Sequence, residues 1–316
     1  MIAREISEVE KSSFLKIAEE CDSVFCSNSF SSSFGPELVH FGIFDKTQTL
    51  VGGFVALRAK LKGISALIDP TYAPHCGLFL QKKIENGFKR NQQIKKVMEA
   101  ITTCLNAQKV KIISISFPPE FNDLQIAQWT GFDVKVKYTY RLDLKLSLEN
   151  IISGYNPKLK SSMQKFFNGE LLASPDLSTN ELIRMIRSSQ KSKNIKKNEA
   201  HLEKLAQSFI EKNKHATIAY KLTYGDNISN VTFCIHGSKT CYYLMGALNK
   251  ETQGKNAGPI CIHQSIVEAK LRNLSVFDFE GSSIPAIESF FRSFGGELTP
   301  YYRLQKCPSL LKRFLK

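Results

Sequence analysis

One order of predicted secondary structure occurs twice along this chain: helix, three strands in a meander, helix, strand, helix, strand. In the first half a helical stripe over residues 5–20 precedes it, and alternating apolar residues rich in β-branched and aromatic types predict strands over 38–44, 50–58 and 64–68. Ile94, Val97, Met98, Ile101 and Leu105 share one face of a helix over 85–105; a strand over 110–117, a short helix over 124–129 and a strand over 132–142 follow. In the second half helices are predicted over 147–154, 157–167, 180–189 and 199–213, then strands over 217–223, 230–236 and 240–248, a helix over 260–271, a strand over 275–279, a helix from Pro285 and a strand over 298–304. Asn156 and Pro157 mark one of these helix starts, an acceptor side chain followed by a residue with no N–H to satisfy. Meanders with helices between the later strands build mixed, mostly antiparallel sheets flanked by helices, the α/β (α+β) class. The repeat is of order, not of residues, and divides the chain into domains 1–147 and 148–316.

The chain has 316 residues, enough for two such domains, and 42% of them are apolar, enough for two cores. No apolar run reaches the roughly 18 residues of a membrane span, and the charged, amphipathic N-terminus lacks a signal-peptide core, so a cytoplasmic protein is expected. Eight cysteines and six histidines are scattered without ligand spacing, which predicts buried free thiols and no metal site. Residues 1–150 carry 19 Lys/Arg against 16 Asp/Glu, whereas residues 151–316 carry 24 against 13. A basic second half is compatible with an anionic partner or with a lysine-rich solvated surface.

Residues 275–303, SVFDFEGSSIPAIESFFRSFGGELTPYYR, hold the densest pattern. A half-buried strand ends at Glu280-Gly281-Ser282-Ser283, Pro285 opens a helix, and Ile287, Phe290, Phe291 and Phe294 fall on its apolar face before Gly295-Gly296 stops it. Polar groups thus gather at a strand end, a common ligand position in α/β sheets.

This layout resembles the acyl-CoA N-acyltransferase (GNAT-like) fold in two tandem copies. The block FDFEGSSIPAIESFFRSFGGEL resembles the closing segment of the Fem-type aminoacyl and peptidyl transferases. The matching residues are Phe277, Asp278, Phe279, Gly281, Pro285, Phe291, Arg292, Phe294, Gly295 and Gly296. Those proteins also show a Tyr and a basic helix before the second domain, where Tyr155, Lys158, Lys160, Lys165 and Gly169 stand here. The resemblance implies transfer of an acyl group from acyl-CoA or aminoacyl-tRNA to a small-molecule or peptide amine, with acyl-CoA as a donor substrate, no tightly bound cofactor and no DNA partner. In CoA-dependent members a glycine-rich loop at a helix N-terminus holds the pyrophosphate. Gln253, Gly254, Lys255, Asn256, Ala257 and Gly258 occupy that place, with Asn256 where the first glycine belongs.

Amine transfer needs a base for the nucleophile and a donor for the developing oxyanion. Glu280, Ser282, Arg292 and Tyr301 form the candidate catalytic set, Arg292 at the family's basic position. Tyr72 and His75, on the proline-rich loop 69–76, join Tyr155, Lys158, Lys160 and Lys165 as candidate acceptor-binding residues. The alternative is an inactive scaffold of the same fold that binds a nucleotide-linked or anionic ligand. No G-x-S-x-G, Walker A or H-E-x-x-H motif supports a hydrolase, NTPase or zinc enzyme.

Overall fold

The computed structural model describes the chain except residues 83, 85–86, 170, 193–198, 250–251, 253–257, 282–283 and 312–316. The first half holds β1 (Ile2–Glu5), α1 (Glu8–Glu20), α2 (Asn28–Ser31), β2 (Leu38–Phe44), β3 (Leu50–Leu61), β4 (Ile64–Ile68), β5 (Phe79–Leu80), α3 (Gly87–Asn106), β6 (Ile112–Phe117), α4 (Gln125–Trp129) and β7 (Asp133–Asp143). The second holds α5 (Leu148–Ser153), α6 (Pro157–Ser162), α7 (Gln164–Phe167), α8 (Thr179–Ser192), α9 (Glu199–Ala206), β8 (Thr217–Tyr224), β9 (Asn227–His236) and β10 (Thr240–Leu248). It closes with α10 (Gly258–Leu271), β11 (Val276–Asp278), α11 (Pro285–Arg292) and β12 (Glu297–Lys306). The mixed, mostly antiparallel α/β architecture is the one read from the sequence.

The chain forms two compact units, Met1–Lys137 with Pro300–Lys316, and Tyr138–Thr299. In the first, the strands lie in the order β1, β2, β3, β4, β6, β12, with β5 also on β3. Only β4 and β6 run parallel. α3 packs over β1 and β2 and α1 over β3, which is why every residue of β2 is buried. Phe41 and Phe54 face each other in register across β2 and β3, with stacked rings 4.8 Å apart. The S-x-x-E start of α1 is a capping box in which the Glu10 carboxylate accepts the Ser7 N–H at 2.8 Å.

In the second unit the order is β7, β11, β10, β9, β8, and only β10 and β11 are parallel. α10 packs on β8 and β9, and α8 on β9 and β10. β9 is buried at nearly every position, so its apolar run does not alternate.

The closing strand differs from the sequence reading. From Tyr302↔Phe117 to Lys306↔Ile113 it pairs with β6, and the fully buried Leu304 joins the first unit's core. The helix expected over 157–167 breaks into α6 and α7 at Met163, whose N–H is shared between the Leu159 and Lys160 carbonyls while its side chain is wholly buried.

Candidate active site

β10 and β11 run side by side for three residue pairs, ending at Tyr242↔Asp278. Beyond that pair they part. The β11 chain follows β7: Phe279 N–H donates to the Tyr140 carbonyl at 3.0 Å. Gly281 lies so close to Tyr138 that a Cβ would stand 1.9 Å from its carbonyl oxygen. β10 instead stays with β9 as far as Leu248↔Asn230, with a bulge between Tyr243 and Met245 that turns the strand. Tyr243 and Glu280 are carried on the two diverging ends.

Glu280 has a left-handed backbone, φ +59°, followed by Gly281 at +71°. For glutamate that conformation costs about 1–2 kcal/mol. Asp278 secures it. One carboxylate oxygen, Oδ1, accepts the Glu280 N–H at 2.8 Å and the Thr139 hydroxyl at 2.6 Å, and Arg141 Nε lies 3.3 Å from Oδ2. Asp278 is 3% exposed, so its charge is matched inside the protein rather than by water.

Tyr243 was not singled out by sequence reasoning. Its hydroxyl lies along β10 over Gly246, where a Cβ would be 2.2 Å from the phenol oxygen. Its ring meets Phe291 edge-on at 5.4 Å. Burial pushes the phenol pKa up, and Cys234, Cys261 and, least of the three, Glu280 push it further. Tyr243 therefore keeps its proton at neutral pH and can donate a hydrogen bond. A glycine inside a strand signals close approach of another group, and Gly246 in YYLMG was the clue available.

On α11, Phe291 is buried whereas Ile287 and Phe290 are only half-buried, a narrower inward face than the spacing predicts. The Tyr140 hydroxyl donates to Glu288 Oε1 at 2.5 Å, and Arg292 Nε stands 3.5 Å from the same oxygen. The Arg292 side chain is 63% exposed. Tyr301 belongs to the first unit, buried beneath Lys137. Ser282 lies outside the described residues.

Of the predicted pyrophosphate loop, Gln253, Gly254, Lys255, Asn256 and Ala257 lie outside the described residues. Gly258 opens α10, and a Cβ there would be 3.9 Å from the Phe290 ring. α10 is 14 residues long, and the first N–H groups of any α-helix have no acceptor within it.

Asn156 caps α6 as predicted, accepting the Lys158 N–H at 2.9 Å. Lys158 and Lys165 are exposed, and Lys160 Nζ donates to the Ser153 carbonyl at 3.3 Å. Tyr155 is 2% exposed, with its hydroxyl 3.1 Å from His263 Nδ1. Burial raises the Tyr155 pKa and lowers that of His263 to about 4. The pair is neutral and packed inside.

The corresponding place in the first unit is filled by its own chain. β4 and β6 pair in parallel through Ile68↔Ser114. The segment after β4 then returns: Cys76 N–H donates to the Ser116 carbonyl and Val55 N–H to the Cys76 carbonyl, both at 2.9 Å, and β5 pairs with β3. Asp69 holds this segment by accepting Ser116 N–H and Oγ–H at 2.7 Å each and Arg303 Nη2 at 3.1 Å. Burial raises the Asp69 pKa, opposed by the Arg303 charge. Tyr72 and His75 sit buried within the returning segment, His75 Nδ1 accepting the Gly77 N–H at 3.1 Å.

Solved structures share the fold along nearly the whole chain. FemX superposes with a TM-score of 0.68 at 8% identity, covering 96% of this chain and 97% of its own. The fold is shared with FemX. L-PGS from Bacillus licheniformis matches with a TM-score of 0.54 at 10% identity over 100% of this chain and 96% of its own. A tandem GNAT protein from the clavulanic acid biosynthesis pathway matches with a TM-score of 0.53 at 12% identity over 97% and 99%. These likenesses establish a FemX-like, tandem GNAT-type fold. No family model and no curated protein sequence matches the chain. No helix among the described residues is long and apolar enough to cross a membrane.

Proposed function

We propose that the protein transfers an acyl or aminoacyl group to an amine, and that the reaction takes place where β10 and β11 part in the second unit. The observation that carries this reading is the placing of a protonated phenol, Tyr243, and a carboxylate, Glu280, on the two diverging strand ends. The amine nitrogen attacks the acyl carbon, Glu280 accepts the proton the nitrogen sheds, and Tyr243 donates a hydrogen bond to the carbonyl oxygen as it gains charge. Collapse breaks the bond from acyl carbon to sulfur or ester oxygen. The leaving group takes a proton from the Tyr243 hydroxyl, which is reprotonated by the proton held on Glu280. The products are an amide and a free thiol or alcohol.

The donor belongs to the second unit, since in the first the equivalent opening is filled by residues 69–80. The α10 N-terminus favours an anionic donor such as acyl-CoA or the 3′ end of aminoacyl-tRNA. Arg292 and the exposed Lys158 and Lys165 would contribute to charge at the entrance and to acceptor binding.

Thermal stabilisation by CoA or acetyl-CoA would identify the thioester donor, and salt-sensitive retention of tRNA the ester donor. Tight binding of either without amide formation in any amine panel would replace the enzyme by a ligand-binding scaffold.

A further inference from the structure

We infer that Asp278 is the positioning residue of this site: its buried carboxylate touches no substrate and acts by holding Glu280 in its left-handed turn. The inference rests on the reading of Glu280 as the base.

The bond from Asp278 Oδ1 to the Glu280 N–H, 2.8 Å long, spans two residues and closes a side-chain turn of the kind Asp makes with its own downstream backbone. Asp278 is itself fixed from β7 by the Thr139 hydroxyl at 2.6 Å and by Arg141 at 3.3 Å. Gly281 then seats against the Tyr138 carbonyl with no room for a Cβ. Tyr138, Thr139 and Arg141 thus form a template, and Asp278 transmits it to Glu280. Without the carboxylate, the Glu280 N–H loses the acceptor that holds it in the turn at φ +59°. The backbone would rotate to a negative φ and redirect the side chain.

The test is a double-mutant cycle on the full chain, using acetyl-CoA and a mixed aminoacyl-tRNA pool as donors with a panel of primary amines. Asp278→Ala is expected to lower kcat about 100-fold while leaving the donor KM nearly unchanged, the effect of a misplaced reacting group. In a Glu280→Gln background the same substitution should cost less than about 3-fold, because residues acting as one unit are not additive. A full 100-fold loss in that background overturns the inference. Asp278→Asn, which retains an acceptor for the Glu280 N–H but aims an NH2 at Arg141, should lose about 10-fold and serves if Asp278→Ala does not fold. Turnover by Glu280→Gln at the wild-type rate refutes the base assignment instead. The positioning is then read without activity, from the Glu280 backbone chemical shifts. Left-handed values in the wild type that persist in Asp278→Ala refute it, and values that move to the ordinary range support it.

Discussion

Gly281→Ala separates close backbone approach from backbone conformation in the turn that carries Glu280. Two penalties apply. Alanine at φ +71° costs about 1–2 kcal/mol. Its Cβ would also stand 1.9 Å from the Tyr138 carbonyl oxygen, 2.9 Å from the carbonyl carbon and 3.1 Å from Thr139 Cα. All three are main-chain atoms of β7, so no side chain can swing aside. Forcing such a shift into packed structure costs about 1–3 kcal/mol, and the sum is about 2–5 kcal/mol. Gly225→Ala is the control in the same unit: φ is +55° but nothing lies within 4 Å, so only the conformational penalty of about 1–2 kcal/mol applies. Urea unfolding followed by circular dichroism measures both; the single tryptophan lies in the first unit and would not report this change. Gly281→Ala should be the less stable of the two by about 1–3 kcal/mol, or about 2–12 °C in Tm for a unit of this size. Equal losses within about 0.5 kcal/mol would refute the contact with Tyr138 and with it the template for the turn.

Other consequences follow for the site and for stability. Tyr243→Phe should lower turnover about 100- to 1000-fold with an unchanged melting temperature, as expected for loss of one donor to a developing oxyanion. Gly246→Ala should reproduce part of that loss by displacing the phenol. His40 and His263 are buried and held neutral, each lowered to about 4, His40 by burial and then by the Lys11 charge. Below the ordinary pKa of about 6.5 the unfolded chain binds these protons and the folded one does not. Stability should therefore fall as pH drops from about 6.5 to about 4, by up to about 3 kcal/mol for each histidine. His40→Asn or His263→Gln should flatten that dependence in melting curves. In the first unit Asp69→Ala removes the acceptor for Ser116 and Arg303 and should cost about 3 kcal/mol. Donor binding should survive it.

Much of the fold was legible because each half repeats one element order and the signals were local. Asn156-Pro157 marked a helix start that the structure caps as expected, and the β8–β10 meander follows the predicted strands closely. β1 escaped because its four residues are mostly exposed, and β5 because two residues show no period. The destination of β12 was not local information: nothing in Leu298–Leu304 announces that Leu304 is buried with β6 rather than with the helix before it. At the site, Glu280 was legible as a carboxylate at a strand end. Its left-handed backbone was not, since the neighbouring glycine accounts for a turn by itself. Tyr243 was hidden among the aromatic residues of a buried strand, and only its relation to Gly246 and Glu280 in space distinguishes it from core.

Amine-dependent release of the acyl group tests the proposed chemistry most directly. Acyl-CoA and aminoacyl-tRNA are each incubated with a pool of primary amines, and free thiol or deacylated tRNA is measured beside the new amide. Wild-type protein should release one donor's leaving group in step with amide formation, and Glu280→Gln and Tyr243→Phe should reduce both products together. Release at equal rates in wild type and both variants, or bound donor that stays intact with every amine, would contradict catalysis at the parting of β10 and β11.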